Sequence, residues 1–66
     1  MNFKYNVGDI IQFNKYNHKN KAVVVCIGEN YKFPYKLKML TGESIGHCQG
    51  WNKDYVERNS NLYVEG

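Results

Sequence analysis

The chain is poor in the features that brace or anchor a small protein. It has two cysteines, one proline, one arginine and one tryptophan among 66 residues. Cys26 and Cys48 form neither a CxxC pair nor a zinc-ligand spacing. Placed on the second and fourth strands of a sheet, they stand two inter-strand steps apart, ~9–10 Å between Cα atoms. A disulfide spans at most ~7 Å. Both are therefore expected to be reduced thiols, with Cys26 a small core filler. Long hydrophobic runs are also missing. The longest, Ala22–Ile27, suits a buried strand and falls far short of the ~20 residues of a membrane-spanning helix. Asn2, Lys4 and Asn6 interrupt the first residues, and no apolar run of the secretory type follows them. The expected compartment is the cytoplasm.

Length limits what the chain can do. A domain of this size buries only ~60% of the surface its unfolded chain exposes. That leaves no second layer around a deep pocket, so a non-enzymatic protein without a cofactor is expected. Residues 1–66 read as one domain, with no repeat, linker or low-complexity stretch.

Charge is unevenly spread. The formal net charge is +3. Seven lysines oppose only Asp9 and Glu29 up to Lys38, whereas the remainder is acidic through Glu43, Asp54, Glu57 and Glu65. Such an asymmetry suits an anionic partner. An A+T-rich coding sequence, suggested by the abundance of Lys, Asn, Tyr and Ile, supplies the competing reading of lysines that only solvate a surface.

Short strand signals alternate with turn signals, the pattern of an all-β domain. Gly8–Phe13 places Ile11 and Phe13 on one face with Val7 leading in, followed by the polar loop Asn14–Asn20. Ala22–Ile27 predicts a central strand covered on both sides. In Tyr35–Leu40, Tyr35, Leu37 and Met39 face inward and Lys36 and Lys38 face water. Thr41-Gly42-Glu43 predicts a tight hairpin, and Ser44–Gln49 the returning strand, with Gly46 a candidate bulge. Asn52–Asp54 then turns the chain into a last strand, Tyr55-Val56-Glu57. Residues 58–66 form a tail or an extra strand, able to pair with Phe3–Tyr5 or with another chain.

The order is strand, long polar loop, strand, shorter loop, strand, hairpin, strand, turn and short strand. With Val7-Gly8-Asp9, Phe33–Leu37 and Gly50-Trp51 before Tyr55-Val56-Glu57, it resembles a five-stranded SH3-like barrel over residues 7–57. It also resembles the small, uncharacterised SH3-like proteins encoded by phages and prophages of low-G+C bacteria. Gly50–Glu57 is also similar to the closing segment of eukaryotic signalling SH3 domains, where aromatics line a groove for proline-rich peptides. Here the second tryptophan of that family is missing, and Asn52 and Lys53 stand at its apolar and proline positions. The first loop is basic instead of acidic. Lys15, Lys19 and Lys21 would repel the basic residue such peptides carry, so the usual ligand is not expected.

Catalytic chemistry finds little support. His47 and Cys48 are adjacent, and neighbours on a strand point to opposite faces, which argues against a base–nucleophile pair. A metal site would have to gather His18, Cys26, His47 and Cys48 from separate elements, so none is expected. The aromatics carry more. Tyr16, Tyr31, Phe33, Trp51 and Tyr55 are candidate partner-binding residues, two of them in loops that flank one surface in SH3-like folds. The leading expectation is a protein-binding module, an accessory or inhibitor protein of a phage or mobile element. The alternative is weak, largely sequence-independent nucleic-acid binding through Lys15, Lys19, Lys21, Lys32, Lys36 and Lys38, with aromatic stacking.

Overall fold

The computed structural model describes residues 2–14 and 19–64. Its strands are β1 (Ile10–Phe13), β2 (Lys21–Ile27), β3 (Tyr35–Met39), β4 (Cys48–Trp51) and β5 (Ser60–Leu62), with helix α1 (Lys53–Asn59) between the last two. The strands form one antiparallel sheet in the order β4-β3-β2-β1-β5. No helix is long and apolar enough to cross a membrane among the described residues.

Period-two alternation sorts the side chains as the sequence suggests. Ile11, Phe13, Ala22, Val24, Tyr35 and Leu37 are buried on the inner face, while Lys36 and Lys38 are exposed on the outer one. Tyr5 and Val56 complete the core from outside the sheet. The sheet is strongly curled. β1 and β4 lie three strand steps apart, ~14 Å if the sheet were flat, yet the Phe13 and Trp51 rings are 5.3 Å apart. Curling does not close it: β4 and β5 are its two edges, with no ladder between them among the described residues. The closed barrel expected from the sequence is thus left open, and α1 with the N-terminal segment covers the core instead.

Several local expectations change. Tyr55-Val56-Glu57 is helical, because the Asn52 side chain caps the helix by accepting from the Tyr55 N–H at 3.0 Å. Asp54 in the first turn, Arg58 in the last and the Lys53–Glu57 ion pair one turn apart favour the same state. The extra strand is real, but β5 pairs with β1 and leaves Phe3–Tyr5 to other work. β2 is central in the sheet yet covered on one side only. Its register shifts between Val24 and Cys26, so Val25 is squeezed out to solvent. Cys26 follows onto the outer face, half-buried, and donates to Glu29 Oε2 at 3.0 Å instead of filling the core. That hydrogen bond, and secondarily burial, pushes its thiol pKa up. Cys48 is exposed, and both thiols are free. Val7, expected to lead inward, is 61% exposed.

The returning strand starts later than Ser44, and the expected Thr41–Glu43 hairpin is part of a longer connection. His47 N–H donates to Ser44 O, with Gly46 at φ 86° in the third position of that turn. Gly46 N–H donates to Met39 O while Met39 N–H donates to His47 O. Two residues thus oppose one, a bulge that needs glycine at positive φ. Ile45, His47 and Cys48 are all exposed as a result.

Candidate functional site

The site grows from the start of α1. The Asn52 cap fixes where the helix begins, and the first turn then carries Tyr55 outward beside β4. Trp51, last residue of β4, faces the inner side and stacks with Tyr55 (centroids 5.8 Å, interplanar angle 25°). Phe13 packs against both rings from β1. This three-ring arrangement is only half-buried: Tyr55 is 40% exposed.

Phe33 arrives from the β2–β3 loop. The Asn30 side-chain oxygen accepts from the backbone N–H groups of Lys32 and Phe33, at 2.9 and 3.0 Å, and so folds that loop over β4. Gly50 makes the approach possible. A Cβ there would stand 3.0 Å from Phe33 Cβ and 3.2 Å from Phe33 O. Between Phe33, Gly50, Trp51 and Tyr55 lies an open groove of about 420 Å³. A second groove, about 560 Å³, continues past Gln49 and Trp51 towards Asn20, Thr41 and His47. Trp51 Nε1 is buried at this junction and has no hydrogen-bond partner among the described residues.

Beneath the groove a polar knot holds α1. The Glu57 carboxylate accepts from the Lys4 N–H at 2.8 Å, the Tyr35 hydroxyl at 2.6 Å and Lys53 Nζ at 3.0 Å. Burial alone would raise the Glu57 pKa, but these donors outweigh it and hold the carboxyl below its usual range. Burial, reinforced by Glu57, pushes Tyr35 up to about 12. Tyr35 accepts the Tyr5 N–H at 3.2 Å, and Tyr5 in turn donates to Ser60 O at 2.9 Å.

Of the candidate partner-binding residues, Phe33, Trp51 and Tyr55 come together around one groove. Tyr31 lies two residues from Phe33 and is 92% exposed, but does not line it. Tyr16 and Lys15 lie outside the described residues, as does His18. The other lysines divide. Lys36 and Lys38 share the outer face of β3, opposite Gly50 and Cys48 respectively. Lys21 on β2 stands over the Tyr63 ring, 4.2 Å from its centroid. Lys19 and Lys32 are exposed in separate loops. The lysines of the sheet thus lie on the face opposite the Trp51–Tyr55 stack.

Among the described residues no three His, Cys, Asp or Glu side chains are grouped to hold a metal ion. Gln49, Gly50 and Asn52 were not legible as site residues. The Lys53–Glu57 spacing could have disclosed the helix that places Tyr55. Comparison with protein-family models, curated proteins and solved structures finds no match to this chain.

Proposed function

We propose that the chain is a non-enzymatic binding module of SH3-like architecture that takes a protein segment against Phe33, Trp51 and Tyr55. The strand order, with the first strand between the second and the last, supports the SH3-like reading, as does a helical turn before the final strand. The observation that carries the function is the half-exposed aromatic groove beside the Trp51 indole N–H, which has no hydrogen-bond partner among the described residues. Rigid aromatics with a polar handle are the usual anchors of protein interfaces. The resemblance to small phage and prophage proteins suggests an accessory or inhibitory role inside a bacterial host.

Photo-crosslinking from a benzophenone side chain at Tyr31 in bacterial extract tests this. Protein adducts that survive nuclease and disappear in Trp51→Ala and Tyr55→Ala are expected. Adducts that nuclease removes, or that neither substitution affects, overturn the proposal.

A second reading rests on Lys36 and Lys38, which share one exposed face. Nucleic acid held there would meet few phosphate contacts, about three, and so show a log–log salt slope near −3. The Trp51–Tyr55 stack on the opposite face cannot serve bases bound to that surface, which favours the protein reading. Fluorescence anisotropy with single- and double-stranded oligonucleotides at low salt separates the two.

A further inference from the structure

The proposed groove runs along a free sheet edge. β4 pairs with β3 on one side, and no strand covers its other side among the described residues. Antiparallel pairs alternate between hydrogen-bonded and non-hydrogen-bonded. With Met39 N–H bonded to His47 O, the alternation makes Leu37–Gln49 and Tyr35–Trp51 the bonded pairs. The N–H and C=O groups of Cys48 and Gly50 therefore point away from the sheet. Cys48, Gln49 and Gly50 are all exposed, and the β2–β3 loop reaches this strand at Gly50, through Phe33. Natural proteins usually blunt such edges. The opposite edge, β5, is treated differently: it has three residues, and Tyr5 caps the Ser60 carbonyl.

We infer that the partner segment, on the binding reading above, joins the sheet as an added strand on β4. The surroundings specify its side chains, because a strand presents alternate residues to alternate faces. On the inner face it meets Trp51, Tyr55 and Gln49, which suit an apolar residue. On the outer face it meets Cys48, a small side chain, with Lys38 directly behind it and Lys36 behind Gly50. The Lys53–Glu57 pair is the only salt bridge among the described residues, so neither lysine has a carboxylate at ion-pair distance there. Glu29 is the one acidic residue that shares a groove with Lys36. The occupant is therefore an extended segment alternating acidic and apolar residues. A second copy of this chain fits poorly, since edge-to-edge pairing of two β4 strands brings their lysines onto one continuous sheet face. Nucleic acid has no backbone able to continue the ladder.

The test uses the full chain, labelled with nitrogen-15, and eight-residue peptides alternating glutamate with valine, leucine or phenylalanine. Binding is expected to shift the amides of Cys48–Trp51 and the Trp51 indole. Hydrogen exchange at the Gly50 and Cys48 amides should slow at least tenfold at saturation. Peptides with lysine for glutamate, or with alternate backbone nitrogens methylated, should bind at least tenfold more weakly. The double variant Lys36→Glu/Lys38→Glu, changed only at exposed positions, should reverse the charge preference. Binding that moves the Trp51 indole but leaves Gly50 and Cys48 exchange unchanged, or that tolerates methylation, refutes strand addition and leaves the aromatic groove standing. No binding by any of the peptides, with adducts still formed from Tyr31, refutes the acidic-strand occupant alone. Failure of both experiments removes the protein-binding reading itself.

Discussion

Replacing Tyr35 with phenylalanine changes one oxygen atom and tests how the fold is fastened. That oxygen donates to Glu57 at 2.6 Å and accepts the Tyr5 N–H at 3.2 Å, in a residue with no exposed surface. A hydrogen bond to a charged group contributes ~1.5–3 kcal/mol, and a buried N–H left without a partner costs ~1–3 kcal/mol. Because both losses occur at one site they overlap, and ~3 kcal/mol in total is expected. The titration of Tyr35 gives the pH dependence. Its pKa rises from 10.0 to about 12, and each unit corresponds to ~1.4 kcal/mol of difference between the two protonation states. Ionising the hydroxyl in the folded chain thus removes roughly 3 kcal/mol of stability, chiefly because burial penalises the phenolate.

The sign follows from which state holds the proton longer. Between pH 10 and 12 the unfolded chain has lost it and the folded chain keeps it. The contribution of Tyr35 is therefore whole below pH 10 and drains away as pH rises through 12. Urea unfolding of the native chain and Tyr35→Phe, followed by Trp51 fluorescence in a fixed concentration of stabilising sulfate, measures it. The gap between the two should be ~3 kcal/mol at pH 8 and should mostly vanish by pH 12. All other residues are common to the two proteins, so their contributions cancel in the difference. A gap below ~1 kcal/mol at pH 8 refutes the reasoning, and so does a gap of constant size up to pH 12.

Glu57→Gln probes the same knot from the acid side. The Glu57 pKa is depressed, so its stabilisation is present above pH 4.5 and is lost as pH falls through the lower folded value. The difference in acid unfolding between the native chain and Glu57→Gln should accordingly shrink as pH falls below 4.5. Gly50→Ala places a Cβ 3.0 Å from Phe33 Cβ, and overpacking of this kind costs ~1–3 kcal/mol. Since the backbone O of Phe33 is also close, the loop itself must move, and Phe33 ring resonances should shift with the loss of stability. Asn52→Ala removes the helix cap and should cost ~1 kcal/mol in thermal or urea unfolding. Faster hydrogen exchange at the Tyr55 amide should accompany it.

Sequence reasoning was strongest where burial imposes a period. Tyr35-Lys36-Leu37-Lys38-Met39 alternates so cleanly that strand and inner face follow directly. Ile11 and Phe13 followed for the same reason. Ala22–Ile27 was legible as a strand but not in its burial. An uninterrupted apolar run carries no period, and the register shift that ejects Val25 is a property of the pairing with β3. Tyr5 escaped notice as a core residue because its neighbours Lys4 and Asn6 give it no repeating pattern. Only Ser60 and Tyr35, distant in the chain, explain its burial. The glycine bulge at Gly46 was visible as a candidate, because positive φ restricts the residue that can stand there.

The segment Asn52–Glu57 shows why the aromatic residues were easier to find than to place. As a strand, Tyr55 and Glu57 would share a face and Val56 would take the other. On the helix, successive residues turn by about 100°. Tyr55 then faces the groove, Val56 enters the core, and Glu57 reaches the knot formed with Lys4, Tyr35 and Lys53. Three neighbouring residues therefore do three separate jobs. Anchoring and display are coupled through a single helical turn, because whatever loosens Glu57 also frees Tyr55 from its place beside Trp51. Loss of the Glu57 carboxylate should for that reason weaken the Trp51–Tyr55 stack before the sheet unfolds. It should appear in Trp51 fluorescence at a milder pH than in the far-ultraviolet signal of the strands.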